Sequence, residues 1–302
     1  MQVGMIGLGR MGLGLAKRLL QKGHQVAAYN RTFAKAEKLA AQGAHPARTL
    51  AELTRLLSPP RAVWLMLPAG AVQPILDELA GLLEPGDIVL EGGNSPYAED
   101  APRAAQLARG GVQYLDVGVS GGVWGLEKGF CLMAGGPRGA FRQVEPLLAS
   151  LAPPGGYLYC GPSGAGHFVK MIHNGIEYAM MQAYAEGFAL LDSSPFAEHL
   201  DYGQVSHLWN QGSVIRSWLL ELMEGAFADD PRLDGLQAYV EDSGEGRWTV
   251  EQAIKSATPA PVIALALMER FRSRQDNSFA DRVLAALRHG FGGHRVRRKE
   301  EP

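Results

Sequence analysis

Val3-Gly4-Met5-Ile6-Gly7-Leu8-Gly9-Arg10-Met11-Gly12 is the stretch on which the fold turns. A short apolar run enters a G-x-G-x-x-G sequence, and a helical pattern through Leu13, Ala16, Leu19 and Leu20 leaves it. Gly23 closes that pattern, and residues 25–29 read as the next strand. A glycine fingerprint alone is a weak signal. Between a strand and a helix, at the head of a βαβ unit, it points to a dinucleotide site. Gly7 permits a tight turn, Gly9 lets backbone approach a pyrophosphate, and Gly12 lets helix and strand pack closely. The helix N-terminus offers N–H groups and the positive end of its dipole to the phosphates. Gly7, Gly9, Arg10, Met11 and Gly12 are the cofactor-binding residues expected at this turn.

The end of the second strand selects the cofactor. An NAD site usually carries a carboxylate there, for the ribose 2′-hydroxyl. Here the sequence is Asn30-Arg31-Thr32. Nothing in it repels a 2′-phosphate, and Arg31 can pair with one, which favours NADP over NAD. The plainer alternative is that Arg31 stacks on adenine in an NAD enzyme.

Strand signals follow at residues 62–67, 87–91, 114–119 and 130–134, with helical stretches at 71–83 and 97–109. Three strand ends carry glycine-rich turns: Leu67-Pro68-Ala69-Gly70, Gly92-Gly93-Asn94-Ser95 and Ser120-Gly121-Gly122. Ligands in open α/β sheets collect at such strand ends. Beyond residues 157–161 the strand signals fade. Ser163 is an expected N-cap for a long helix reaching about residue 191, and helical patterns continue over 204–226, 250–255, 260–272 and 278–289. The expected architecture is an α/β Rossmann-type N-terminal domain, 1–162, followed by an all-α C-terminal domain, 163–302. The segment 242–249 is polar and glycine-rich and reads as a helix–helix loop; 291–294 reads as a frayed end.

With 302 residues, 46% of them hydrophobic, the chain suits two domains, or one large domain with an extension, and a sizeable core. A net charge of −2 asks for neither nucleic acid nor an anionic membrane, although Arg295, Arg297, Arg298 and Lys299 form a basic tail. Cys131 and Cys160 sit in apolar runs and are expected to be buried thiols, with no disulfide framework. No His/Asp/Glu cluster shows metal-ligand spacing, so no metal is expected. No basic segment precedes the first strand, and no apolar run reaches the ~20 residues a membrane span requires. A cytoplasmic location is the expectation.

His167-Phe-Val-Lys-Met-Ile-His-Asn-Gly-Ile-Glu-Tyr178 carries the chemistry. On a helix, Lys170, His173, Asn174 and Glu177 project from one face, at i, i+3, i+4 and i+7. An amine, an imidazole, an amide and a carboxylate then line one side of an apolar segment. Lys170 and Glu177 stand about 10 Å apart along the axis. That is long for an ion pair on one helix, and it leaves room for a small substrate between a base and an acid.

Together these motifs resemble the 6-phosphogluconate dehydrogenase family, from Gly4 to about His294. The most specific elements are residues 7–12, Asn30-Arg31-Thr32, Gly92-Gly93-Asn94-Ser95, Gly118-Val119-Ser120-Gly121-Gly122 and residues 164–178. The resemblance implies oxidative decarboxylation of 6-phospho-D-gluconate to D-ribulose 5-phosphate and CO2, in the pentose phosphate pathway, with NADP or NAD reduced. It implies Lys170 as the base at the 3-hydroxyl and Glu177 as the acid at C1. It implies His173, Asn174, Asn94, Ser120, Gly121 and Gly122 as substrate ligands, with Asn94 and Leu67 also facing the cofactor. Tyr178 and Arg270 resemble ligands of the phosphate end. Arg288 and His294 resemble a pair that completes a neighbouring subunit's site, so a homodimer or homotetramer is implied. The chain is similar to the short bacterial form, with one helical copy, and it lacks the family's Lys-Gly-Thr before Trp248. Short-form enzymes are often NAD-linked, which pulls against Asn30-Arg31-Thr32. The alternatives are a β-hydroxyacid dehydrogenase acting on an unphosphorylated acid, and a non-catalytic NADPH-binding sensor.

Overall fold

The structure, a computed structural model, describes residues 1–292 and 295–297. It divides into two compact units, Met1–Asn174 and Gly175–Pro302.

The first unit is one twisted sheet with helices on both faces. In chain order it runs β1 Gln2–Ile6, α1 Arg10–Gln21, β2 Gln25–Tyr29, α2 Phe33–Ala40, β3 His45–Ala47, α3 Leu50–Arg55, β4 Ala62–Leu65 and α4 Ala69–Ala80. It continues with β5 Ile88–Glu91, α5 Asp100–Ala108, β6 Gln113–Ser120, α6 Gly125–Lys128, β7 Cys131–Gly135, α7 Arg138–Leu151 and β8 Tyr157–Gly161. The strand order is β3-β2-β1-β4-β5-β6-β7-β8. Pairing is parallel throughout, except that β7 runs antiparallel to β6. The order reverses between β1 and β4, so the glycine fingerprint stands at the switch point where dinucleotides bind.

Alternation along the strands builds two cores. Val3 and Met5 of β1, with Ala62 and Trp64 of β4, face the core beneath α1 and α7. Ile6, Val63 and Leu65 face the opposite core, packed with α3, α4 and α5. Burial on both faces explains why these strands read as continuous apolar runs. Residues 33–55 carry elements that the sequence pattern leaves unassigned, because β3 is only three residues long and includes Pro46. The two cysteines are not buried thiols. Cys131 is exposed at the start of β7 and Cys160 is half-buried on β8, the edge strand, which only one neighbour covers.

The helix α8, Ala165–Asp192, begins in the first unit and ends in the second. Ser163 does not cap it. The Gly164 and Gly166 N–H groups instead donate to the Asp116 carboxylate at 2.8 Å each, and that of His167 at 3.0 Å. Asp116 lies fully buried on β6, so an acid from the sheet neutralises the positive end of the helix. Glycines make this docking possible. A Cβ at Gly118 would stand 2.3 Å from the Lys170 Cβ, and one at Gly166 would stand 2.3 Å from the Met133 carbonyl oxygen. The sequence places a boundary after residue 162; because these opening turns are held to the sheet, the compact unit runs on to Asn174.

The second unit is helical among its described residues. After α8 come α9 Tyr202–Asn210, α10 Trp218–Asp229, α11 Glu245–Lys255, α12 Pro261–Arg272 and α13 Phe279–Gly292. The single helix expected over 204–226 is two. Gly212 at φ +82° breaks it, and Ser217 caps the second by accepting the Leu220 N–H. Phe188, Tyr202, Leu220 and Phe227 form the core between α8, α9 and α10. Of the segment expected as a loop over 242–249, only 242–244 lies outside a helix; α11 begins at Glu245. It closes on α8 where Gly246 meets the Tyr178 ring and Gly175 meets Thr249; added Cβ atoms would stand 2.4 and 2.6 Å away.

Gly166→Ala is expected to lower stability by about 2–4 kcal/mol, because the intruded atoms are backbone carbonyls that cannot move aside. Urea unfolding measures it, and an unchanged midpoint would refute the close-packing account.

Candidate active site

The fingerprint residues stand as the chemistry of a pyrophosphate requires. Gly7 has φ +94°, and a Cβ there would lie 2.4 Å from the Met66 carbonyl oxygen. At Gly12 the same atom would meet the Gly7 carbonyl oxygen at 2.1 Å, whereas Gly9 faces open space within 4 Å. No acidic side chain stands in the first turn of α1, so its N–H groups can hold an anion. Arg10 is exposed beside them, and Met11 packs partly buried against the core. Asn30 works inward: its Oδ1 accepts the Leu8 N–H at 2.9 Å and its Nδ2 donates to the Thr32 carbonyl at 3.0 Å. It ties the fingerprint turn to the end of β2, leaving Arg31 and Thr32 exposed there. Leu67 is half-buried after β4. These residues fit a dinucleotide.

Asn94 is exposed on the turn after β5, and Ser120 and Gly121 are half-buried at the end of β6. Gly121 and Gly122 both hold positive φ, +129° and +54°, which opens the backbone of that turn. On α8, Lys170 is buried and its Nζ donates to Asn174 Oδ1 at 2.6 Å. His173 Nδ1 lies 2.9 Å from the same oxygen. With Oδ1 as the acceptor, Nδ1 carries the hydrogen. Three of the four groups predicted for the helix face are thus one hydrogen-bonded set.

In the second unit, Glu177 is half-buried and Tyr178 buried. Tyr178 accepts the Ser243 N–H at 3.0 Å, and the Arg270 guanidinium lies over its ring, 3.7 Å from the centroid. Arg270 also donates to the Glu241 carbonyl at 3.0 Å. The two expected phosphate-end residues are therefore in direct contact, as a cation on an aromatic face. Arg288 is exposed on α13, and His294 lies outside the described residues.

Two charged clusters escape the sequence reading. In the second unit, Asp242 accepts from Arg247 at 2.8 and 3.0 Å and from Arg274 at 2.9 Å. The Arg247 hydrogen bonds, joined by those of Arg274, hold this carboxyl well below the usual range despite opposing burial. In the first unit, Glu91, Asp100 and His167 bring ligand-type atoms within 4.8 Å of one another. Arg103 stands 3.5 Å from Glu91 and already supplies positive charge, so the geometry is that of an ion-pair network rather than a metal centre. Burial pulls the His167 imidazolium down. The hydrogen bond and charge of Asp100, with the charges of Glu91 and Asp116, outweigh it and hold the group at about 9. Asp116 was detectable in principle as an acid inside an apolar stretch, but its partners are distant in sequence.

Residues 2–161 match the NAD binding domain of 6-phosphogluconate dehydrogenase, and residues 166–301 match its C-terminal domain. The chain belongs to the 6-phosphogluconate dehydrogenase family. YqeC of Bacillus subtilis is 48% identical over 299 residues, spanning 99% of this chain and 100% of its own. The NAD(+)-dependent, decarboxylating 6-phosphogluconate dehydrogenase of Haloferax volcanii is 44% identical over 304 residues, spanning 100% of each. The Plasmodium falciparum 6-phosphogluconate dehydrogenase, solved in apo form and with NADP+ and with 6-phosphogluconate, superposes with a TM-score of 0.83. It is 29% identical and covers 100% of this chain and 67% of its own.

His167 links stability to pH. Its folded value of about 9 lies above the ordinary 6.5, so the protonated form favours folding. That contribution is complete below the ordinary value and is lost as pH rises through the folded one. Urea midpoints are expected to fall across this window in the native chain and to flatten in His167→Gln. Parallel pH profiles in the two chains would sink the assignment.

Proposed function

We propose that this chain converts 6-phospho-D-gluconate to D-ribulose 5-phosphate and CO2 with reduction of NADP or NAD. The observation that carries the reading is the buried Lys170 amine hydrogen-bonded to Asn174, with His173 on the same oxygen, in a chain of this family. When bound, the nicotinamide supplies a hydride acceptor for C3 of the substrate. Lys170 in its neutral form takes the proton of the 3-hydroxyl. The resulting β-keto acid loses CO2 as the ammonium of Lys170 polarises the ketone oxygen. Glu177 then delivers a proton to C1 of the enediol. Asn174 and His173 orient the lysine and the substrate hydroxyls. Asn94, Ser120, Gly121 and Gly122 hold the substrate's reacting end, and Tyr178 and Arg270 its phosphate.

Gly7, Gly9, Arg10, Met11, Gly12, Asn30, Arg31, Thr32, Leu67 and Asn94 hold the dinucleotide. Exposed Arg31 supports binding of a 2′-phosphate. The NAD(+)-dependence named for the Haloferax volcanii relative supports NAD. Turnover of one preparation with each nucleotide decides the preference.

The active form is a homo-oligomer in which Arg288 and His294 of one subunit complete the site of another. Uncovered apolar side chains support this reading: Ile176, Met180 and Met181 on α8, and Phe279, Val283, Leu284 and Leu287 on α13 are all exposed. Among the described residues no helix is long and apolar enough to cross a membrane, so these faces are read as subunit contacts.

Lys170→Met is expected to bind nucleotide normally and to lose about 10³-fold or more in kcat; near-normal turnover would remove it from the role of base. A chain ending at residue 287 is expected to lose turnover and to sediment as a smaller species. A fully active monomer would refute the shared site.

A further inference from the structure

Beneath the turn that presents Asn94, four charged side chains meet in the interior of the first unit. Glu91, Asp100, His167 and Arg103 are 0%, 0%, 2% and 3% exposed. The reaction proposed above uses none of them. Yet their connections reach both parts of the catalytic apparatus that this unit carries.

One branch leads to the Asn94 turn. Glu91 Oε1 accepts the Gly93 N–H at 2.7 Å. A Cβ at Gly93 would lie 2.3 Å from the Leu67 carbonyl oxygen, so the turn is also pressed against the strand beside it. The other branch leads to α8. His167 Nδ1 and Asp100 Oδ2 are 2.9 Å apart, and Asp100 Oδ1 accepts the Tyr114 hydroxyl at 2.8 Å. The His167 main-chain N–H donates to Asp116. Lys170 follows His167 by less than one helical turn. The branches join where Glu91 Oε2 faces His167 Nε2 at 3.7 Å and Arg103 Nη1 at 3.5 Å. Arg103 also pairs with Glu99.

Buried ion pairs are poor sources of stability, because desolvation offsets their attraction. What they do provide is a fixed mutual position and a fixed field, since the surrounding dielectric is low. We propose that Glu91 and His167 are positioning residues for the reaction. Their contact holds the Asn94 turn and the Lys170 helix in one register, and their charges set the protonation of the Lys170 amine. This inference rests on the reading of Lys170 as the base. The charged and titratable groups facing His167 are Glu91 from β5, Asp100 and Arg103 from α5, and Tyr114 and Asp116 from β6.

The test is the pH dependence of kcat in the full-length chain, with 6-phosphogluconate and the preferred nucleotide. His167→Gln keeps a donor for Asp100 and removes the positive charge. Glu91→Gln keeps the acceptor for Gly93 and removes the negative charge. Each variant is expected to lose about tenfold or more in kcat while the KM for nucleotide holds. The acid limb belongs to deprotonation of the base. It should therefore move to higher pH in His167→Gln and to lower pH in Glu91→Gln, each by about one unit. The double variant should return it toward the native position. Should His167→Gln fail to fold, Glu91→Gln alone decides by the sign of its shift. Limbs that stay in place, or that move in the same direction, overturn the proposal. Persistent turnover in Lys170→Met would fail the base reading itself. Unmoved limbs alongside an inactive Lys170→Met would fail only this inference.

Discussion

The Asp116 carboxylate is the point on which the rest of the structure depends. It is an acid in the middle of an apolar strand, fully buried, and it accepts N–H groups from Gly164, Gly166 and His167 at the start of α8. A helix end buried without partners leaves several donors unsatisfied, each at a cost of about 1–3 kcal/mol. A buried carboxylate without donors is worse still. Each therefore supplies what the other lacks. The result is a long helix whose first turns are fixed to the sheet that carries the nucleotide fingerprint. Lys170 inherits that position, and Gly118, Gly135 and Gly166 are the residues that let the backbones come close enough.

The second unit uses the same device with different chemistry. Gly175 and Gly246 remove side chains where α8 and α11 cross, so that Thr249 and Tyr178 fill the gap. Tyr178 is then held at its hydroxyl by Ser243 and on its ring by Arg270. Asp242, next to Ser243 in the chain, gathers Arg247 and Arg274. Positive charge is supplied there by arginines in stacked or bidentate contacts, which hold a guanidinium more rigidly than a flexible ammonium can be held.

Asn30 joins two parts of the fold. Its amide joins the fingerprint turn to the end of β2, and this directs the exposed Arg31 and Thr32 outward. An aspartate at that position could accept the Leu8 N–H but could not donate to Thr32. The absence of a carboxylate here is therefore partly a matter of local hydrogen bonding. That is why the residue types at this strand end do not by themselves decide between the two nucleotides.

The sequence by itself determined what depends on neighbours along the chain. The fingerprint turn, the alternation of strands and helices, and the helix face bearing Lys170, His173, Asn174 and Glu177 all follow from periods of two and 3.6 residues and from glycine placement. Where those local signals are weak, they failed: β3 is too short to show alternation, and the break at Gly212 is hidden inside a continuous helical pattern. Cys131 and Cys160 lie in apolar runs yet are not buried, because position in the fold, at the start of β7 for Cys131 and on the edge strand β8 for Cys160, decides cover rather than composition. Only the tertiary structure decided that Asp116, rather than Ser163, caps α8, and that Glu91, Asp100 and His167 share one interior cluster. Those contacts join residues tens of positions apart, and a buried charge is tolerated only where folding brings its partner to it.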